Sequence, residues 1–332
     1  ALYPSASTAA DEAKDKKAAQ KPALTVTTAK PQTASRPIKL MIGYAPGGST
    51  DGPARALAER VSAILGQPVV IENKPGASGT MPIQALQTAA PDGYTLAMAP
   101  SSTYRVPFTS DVKWDPLKDL SYVIGITGYT FGIVVRADSP LKTFADYLKY
   151  ARENPNDLTY GTSGIGSTNH ITMEQMARQY KLKLRHIPYK GGAESVQATL
   201  AGEVMSAAEG SNWVPFVDSG KLRLLVVWNA KRIARYPNTP TLRESGIDIV
   251  QNAPWGLVGP KGLPPAVSAK LHDAFKQAMA ADSFKKSLDN FVMEPDYRNG
   301  ADYRTFAEQA VARERELVNA LGLAKASSRG GA

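Results

Sequence analysis

From Pro37 onward, short runs of β-branched and apolar residues alternate with amphipathic stretches of helical length, which restricts the chain to βα units on a parallel sheet. Residues 38–45 read as a strand, 52–65 as a helix, 69–72 as a strand, 81–89 as a helix and 94–99 as a strand. Ala54, Leu57, Ala58, Val61, Ile64 and Leu65 fall on one face at 3.6-residue spacing, so the first helix rests on periodicity. Pro91-Asp92-Gly93 punctuates the next helix-to-strand turn.

The run 122–136 is long for one strand and carries Gly125, Gly128 and Gly132, which predicts a strand leaving one lobe and entering another. After it the alternation restarts: helix 144–153, strand 158–161, helix 168–180, strand 185–188, helix 194–201 and strands 204–208 and 222–228. A further apolar run follows at 255–259, and 264–281, 283–291 and 301–321 read as helices. Two βα sets in sequence predict two lobes, and a chain of 332 residues is long enough to give each its own core.

Residues 1–36 are rich in Ala, Lys, Thr, Ser and Pro without hydrophobic periodicity and read as a flexible leader. The chain opens on Ala1, as after removal of an export signal or a tag. Formal charge is +9, of which residues 1–37 supply +3 from six Lys/Arg and three acids; no run of five basic residues occurs. A nucleic-acid partner is not expected, whereas a mild positive bias suits small anions. With no cysteine, disulfides, thiolate metal sites and cysteine nucleophiles are excluded. No apolar run approaches the ~20 residues of a membrane-spanning helix.

Two strand-to-helix turns carry the site signal. The first strand runs into Pro46-Gly47-Gly48-Ser49-Thr50-Asp51, and strand 158–161 runs into Gly164-Ile165-Gly166-Ser167-Thr168-Asn169. Glycine lets backbone approach a ligand, and Ser, Thr, Asp and Asn cap helix starts that carry roughly +0.5 charge. One carboxylate held between two such turns would need only neutral donors, with no arginine. Neither turn matches a dinucleotide fingerprint, and no phosphate-binding P-loop is present. His170, His186 and His272 form no zinc pattern, and no G-x-S-x-G elbow occurs. His170 reads as a partly buried helix-start residue, with anion binding or a base role as alternatives. Asp51 reads as a cap that ties the loop amides, with general base or amine binding as alternatives.

Tyr44-Ala-Pro-Gly-Gly-Ser-Thr-Asp51, Gly66-Gln-Pro-Val-Val-Ile-Glu-Asn-Lys-Pro-Gly76, Ala90-Pro-Asp-Gly-Tyr-Thr-Leu96, Tyr160-Gly-Thr-Ser-Gly-Ile-Gly166, Ile187-Pro-Tyr-Lys-Gly191, Gly220-Lys-Leu-Arg-Leu224 and Pro240-Thr-Leu-Arg-Glu-Ser-Gly246 occur in order across nearly the whole chain. Together they resemble the Bug-type substrate-binding proteins of tripartite tricarboxylate transporters. The resemblance implies a type II periplasmic binding-protein fold with two βα lobes joined by crossing hinge strands. It further implies a periplasmic, non-enzymatic, monomeric receptor that needs no cofactor or metal and passes a small organic carboxylate to a two-component membrane permease. By position it puts Gly48, Ser49, Thr50 and Asp51 on one side of the ligand and Ser163, Gly164, Ser167, Thr168 and Asn169 on the other. Tyr44 would pack on the ligand body, and Tyr189 and Gly191 would wall the cleft.

The lobes expected are 36–130 with 255–321, and 131–254, with a leader at 1–35 and a tail at 322–332. Hinges are expected near 129–136 and 252–256. Where many relatives carry an apolar strand ending in Asp, this chain has Val204-Met-Ser-Ala-Ala-Glu-Gly-Ser-Asn-Trp213. Glu209, Asn212 and Trp213 are therefore candidates for reading the distal part of the solute. Trp213 would favour a flat ligand unless it simply packs at a helix start. Ser101 and Ser102 are further lining candidates. An enzyme acting on a small carboxylate through His170 or Asp51, or an adaptor presenting its ligand to a membrane kinase, are the competing functions.

Overall fold

The computed structural model describes residues 2–3 and 36–326. The first lobe begins with β1 (Ile38–Ile42), α1 (Asp51–Leu65), β2 (Val69–Asn73), α2 (Met81–Leu86), β3 (Thr95–Ala99), α3 (Val106–Thr109) and β4 (Leu120–Thr127). The second holds β5 (Phe131–Arg136), α4 (Phe144–Glu153), β6 (Thr159–Thr162), α5 (Thr168–Gln179), β7 (Arg185–Pro188), α6 (Gly192–Ala201), β8 (Ser206–Gly210), α7 (Val214–Asp218) and β9 (Leu222–Val227). The chain then returns to the first lobe as β10 (Trp255–Pro260), α8 (Pro265–Met279), α9 (Asp282–Asp289), β11 (Pro295–Arg298) and α10 (Gly300–Ala320).

Lobe 1 is built on a six-stranded sheet in the order β11-β4-β10-β3-β1-β2, and lobe 2 on a five-stranded sheet in the order β7-β6-β8-β5-β9. As the alternation predicts, β1 pairs in parallel with β2 and β3, and β6 with β7 and β8. The sheets are nonetheless mixed. Strands β5 and β10, each entered from the opposite lobe, run antiparallel to both neighbours. The long run 122–136 divides accordingly into β4 in one sheet and β5 in the other.

Helix α1 shows why these segments settle where they do. Ala54, Leu57, Ala58 and Val61 are buried on one face, and Gly66 ends the helix at φ 64°, a left-handed conformation that costs glycine little. That face joins Leu40, Ile42, Leu271 and Phe275 in the lobe 1 core. A separate core around Phe131, Tyr147, Tyr160, Met173 and Trp228 supports lobe 2. Leu2 is buried in the lobe 1 core and Tyr3 stacks on Tyr94, so these two residues pack instead of trailing free; the rest of the expected leader lies outside the described residues. Of the expected tail, Lys325 is tied by its amide to the Phe108 carbonyl at 2.9 Å.

Between the lobes the two connections lie side by side, the Tyr129 amide donating to the Asn252 carbonyl at 2.5 Å. The hydroxyls of Thr127 and Thr130 donate to the carbonyls of Glu294 and Val292, which fastens the segment after α9 beside the crossing. Gly128 is required by this close approach, because a Cβ there would stand 2.5 Å from the Asn252 carbonyl oxygen. Gly128→Ala should therefore destabilise the chain by roughly 1–3 kcal/mol, measured by urea unfolding, because backbone on both connections must move to accept one methyl.

Candidate functional site

The lobe 1 turn is organised by one carboxylate. Asp51, the first residue of α1, is buried; its Oδ2 accepts from the Gly47 amide and Arg55 Nε, each at 2.9 Å, and its Oδ1 accepts from Asn73 Nδ2 at 2.9 Å. Burial alone would raise its pKa, but these donors together hold it below the ordinary carboxylate range. Asp51 thus ties the loop through one amide, that of Gly47, but it is not the cap expected: the N-cap of α1 is Thr50, with no side-chain capping bond. A carboxylate already occupied by three donors is poorly placed to act as a base. Asn73 also donates to the Tyr44 carbonyl at 2.9 Å, which fixes the strand exit. The Gly48 carbonyl accepts from the Gly52 amide, and Thr50 bonds through its hydroxyl to Tyr129 in the crossing between the lobes. Ser49, half-buried, is left without a hydrogen bond among the described residues. The Tyr44 ring lies against Gly79, where a Cβ would come 2.5 Å from its hydroxyl, and burial pushes that hydroxyl up to about 12.

The lobe 2 turn reaches the same end by different bonds. Gly164 and Gly166 take φ of 127° and 82°, which only glycine adopts readily. Ser167 is the N-cap of α5: its Oγ accepts from the His170 amide at 3.3 Å and donates to the Gly164 carbonyl at 2.7 Å. Asn169 donates from Nδ2 to the Ala208 carbonyl at 2.7 Å, locking the first turn of the helix to β8. The amides of Thr168 and Asn169, at the start of α5, have no intrahelical acceptor and carry the positive end of the helix dipole. His170 accepts from the Gly166 amide at Nδ1, 3.0 Å away, and stacks on His186 with ring centroids 3.9 Å apart. Burial depresses both imidazoles, and His170 further depresses His186, to about 4. His170 is accordingly a neutral support beneath the turn.

Glu209 is 2% exposed at the end of β8, and the Ser163 hydroxyl donates to it at 2.8 Å. Burial pushes its carboxyl up to about 8, only partly opposed by hydrogen bonds led by that of Ser163. Its Oε2 and the Asn212 amide crowd Gly192, where a Cβ would lie 3.0 Å from the former and 2.3 Å from the latter. Trp213 requires correction. Its ring is fully buried with Val134, Val196 and Leu224, and its Nε1 donates to the Glu209 carbonyl at 2.9 Å, so it packs the lobe 2 core and is not a wall for a flat ligand. Tyr189 is half-buried against Gly161, with its amide on the Thr162 carbonyl at 3.0 Å. Gly191 caps α6 in an extended conformation with open space beside it. Ser102 is buried and donates to the Ser78 carbonyl at 2.6 Å, which commits its proton to lobe 1 backbone.

The turns were expected to act through neutral donors alone. The structure adds an arginine: Arg105, on lobe 1, donates from Nε to the Gly166 carbonyl at 2.9 Å, and Ser101 meets Thr168 Oγ1 at 2.9 Å. The lobe 2 turn therefore faces lobe 1 directly. Arg105 is separated from Gly166 by 61 positions, and no local pattern around Ser101-Ser-Thr-Tyr-Arg105 marks it.

Two α/β lobes joined by paired crossings, with a helix start from one lobe turned toward the other, define the class of two-lobed solute receptors. Residues 53–323 match the model of the tripartite tricarboxylate transporter family receptor. The chain is 54% identical over 291 residues, 88% of its length and 89% of the relative's, to the UPF0065 protein in the gbd 5' region of Cupriavidus necator. Among solved structures it is similar to the periplasmic binding protein BugD (27% identity, TM-score 0.78, covering 88% of this chain and 99% of that one). It is also similar to an R. palustris protein solved with adipate (27%, 0.79, 87% and 98%) and to MatC from Rhodopseudomonas palustris with bound malate (26%, 0.76, 85% and 99%). The chain belongs to the tripartite tricarboxylate transporter receptor family, whose members are solute receptors of the Bug type.

The raised Glu209 pKa has a definite sign. The folded state favours the protonated carboxyl, so the stability this group contributes is full below pH 4.5 and is lost as the pH rises through about 8. Glu209→Gln should remove that dependence, raising thermal stability at pH 8 by on the order of a few kcal/mol and hardly at pH 4.5, as followed by melting curves across that range.

Proposed function

We propose that this chain is a periplasmic receptor for a small aliphatic carboxylate, which it holds between the starts of α1 and α5 and delivers to a membrane permease. The observation that carries this reading is the start of α5. Thr168 and Asn169 offer amides without acceptors, Ser167 caps the turn, and lobe 1 stands across from it. Helix starts of this kind favour anions through both hydrogen bonds and dipole. The adipate and malate bound by two similar proteins support a dicarboxylate in particular. Trp213, enclosed in the core, supplies no flat wall, which favours an aliphatic solute over an aromatic one. The family description, a receptor of a tripartite transporter, supports delivery to a permease, and the periplasmic relatives support that compartment.

Because Glu209 is held protonated near neutral pH, it adds little charge to repel an anion at the turn. The imidazoles beneath the turn are neutral as well. Binding would then depend on oriented backbone and hydroxyl dipoles, with the Arg105 guanidinium bonded to the same turn as its positive side chain.

The test is a thermal-shift panel of aliphatic and aromatic mono-, di- and tricarboxylates. A ligand of the folded state at one hundred times its Kd should stabilise the chain by about 2.7 kcal/mol, and malate or adipate is expected to be among the hits. The doubly substituted chain, Ser167→Ala with Thr168→Ala, should keep its far-UV spectrum and bind the strongest hit at least tenfold more weakly by calorimetry. Equal affinity would remove α5 from the site, and release of a chemically altered product would replace the receptor with an enzyme.

A further inference from the structure

A buried guanidinium keeps its charge and must be supplied with acceptors, so the identity of those acceptors says what the arginine is for. Arg105 is 2% exposed. It stands on lobe 1, between the turn at Ser101–Tyr104 and α3, and three acceptors serve it. Nε donates to the Gly166 carbonyl at 2.9 Å, Nη2 donates to Thr168 Oγ1 at 3.2 Å, and Nη1 meets Glu314 Oε1 at 3.4 Å. The two shorter contacts go to lobe 2; only the longest, to α10, stays within lobe 1.

Both lobe 2 acceptors belong to the turn that begins α5. Gly166 has its φ at 82° and its amide engaged by His170 Nδ1, and its carbonyl is the one that Arg105 takes. Thr168 Oγ1 receives Arg105 and is also met by Ser101, so one hydroxyl is held by two lobe 1 residues. Charge-assisted bonds of this kind are roughly twice as strong as neutral ones, and these are sheltered from water. They are made by residues other than those that bond the paired crossings, Tyr129 and Asn252.

We propose that Arg105 is an interlobe positioning residue, which draws the lobe 2 turn onto lobe 1 and holds the two lobes closed. The proposal rests on the receptor reading only in assigning the closed form as the one that retains solute. Opening the lobes strips Arg105 of two of its three partners and leaves it with Glu314, so the latch engages only when the turn is home. A receptor whose competent form is populated only in part binds with its affinity reduced by that fraction, so loosening the latch weakens solute binding without removing any group from the solute.

The chain has no cysteine, so spin labels can be placed at will through Glu59→Cys on α1 and Glu194→Cys on α6, both exposed and in different lobes. Pulsed electron spin resonance in the absence of any solute should give one dominant short interlobe distance for the parent chain. Arg105→Met should shift the population to longer, broader distances. Arg105→Lys, which keeps the charge but cannot reach both acceptors, should fall between them. A merely structural role would lower the melting temperature without moving the distance, so melting curves are recorded alongside; if Arg105→Met does not fold, Arg105→Lys and Thr168→Val carry the comparison. An unchanged distance distribution in the folded variants would overturn the latch. Since no solute is present, that outcome is independent of whether the chain binds carboxylates, which the thermal-shift panel decides separately.

Discussion

A helix that starts where a strand of a parallel pair ends leaves its first amides without partners, and the rest of this molecule is arranged around that fact. In lobe 1 the acidic residue closest to the helix start, Asp51, is turned back onto Gly47, Arg55 and Asn73, so its charge shapes the turn and is neutralised there. In lobe 2 the cap Ser167 satisfies only the His170 amide and leaves those of Thr168 and Asn169. Both turns are stiffened from behind by side chains with no acceptors to spare for the front. Such preformed donors cost little to reorganise when an anion arrives.

Charge around the turns is managed by pairing or by proton occupancy. Asp51 is paired with Arg55, and Arg105 with Glu314. Glu209 has no ion-pair partner among the described residues and is driven toward its neutral form by burial. His170 and His186 are driven toward theirs by the same cause, and a stacked pair of imidazolium ions would repel. The two groups titrate in opposite senses: ionised Glu209 opposes folding as the pH rises toward about 8, whereas protonated His186 opposes it as the pH falls from 6.5 toward about 4. Around neutrality Glu209 and the two imidazoles therefore add little charge to the lobe 2 turn, and the charge beside it is that of Arg105.

Much of this was legible in the sequence where the cause is local. The 3.6-residue spacing of Ala54, Leu57, Ala58 and Val61 gave α1, and the Gly-Ser-Thr-Asx turns marked both helix starts. The strand β11 went unread because Pro295–Arg298 is short and polar, and it exists by pairing at the sheet edge with β4. Mixed sheet order went unread for a related reason: the direction of β5 and β10 follows from the chain entering each lobe from the other, which no window of residues records. Trp213 stayed open between a ligand wall and a packed helix start because residue type alone does not say which side of β8 a ring will occupy. Arg105 was invisible because its partners, Gly166, Thr168 and Glu314, lie 61, 63 and 209 positions away.

These long-range contacts also determine how the lobes are joined. The two connections, 128–130 and 228–254, are hydrogen-bonded to each other at Tyr129 and Asn252, and the Thr127 and Thr130 hydroxyls fasten the segment after α9 beside them. Neither crossing is a strand at this point, so the contact between them rests on loop backbone and on the side chains around it. Tyr129 lies in the first crossing and bonds to Thr50, which ties the lobe 1 turn to that crossing. The lobe 2 turn stands instead against Ser101 and Arg105 of the facing lobe. One turn is thus tied to the crossing and the other to the facing lobe, so the charged contact between the lobes falls on the lobe 2 turn.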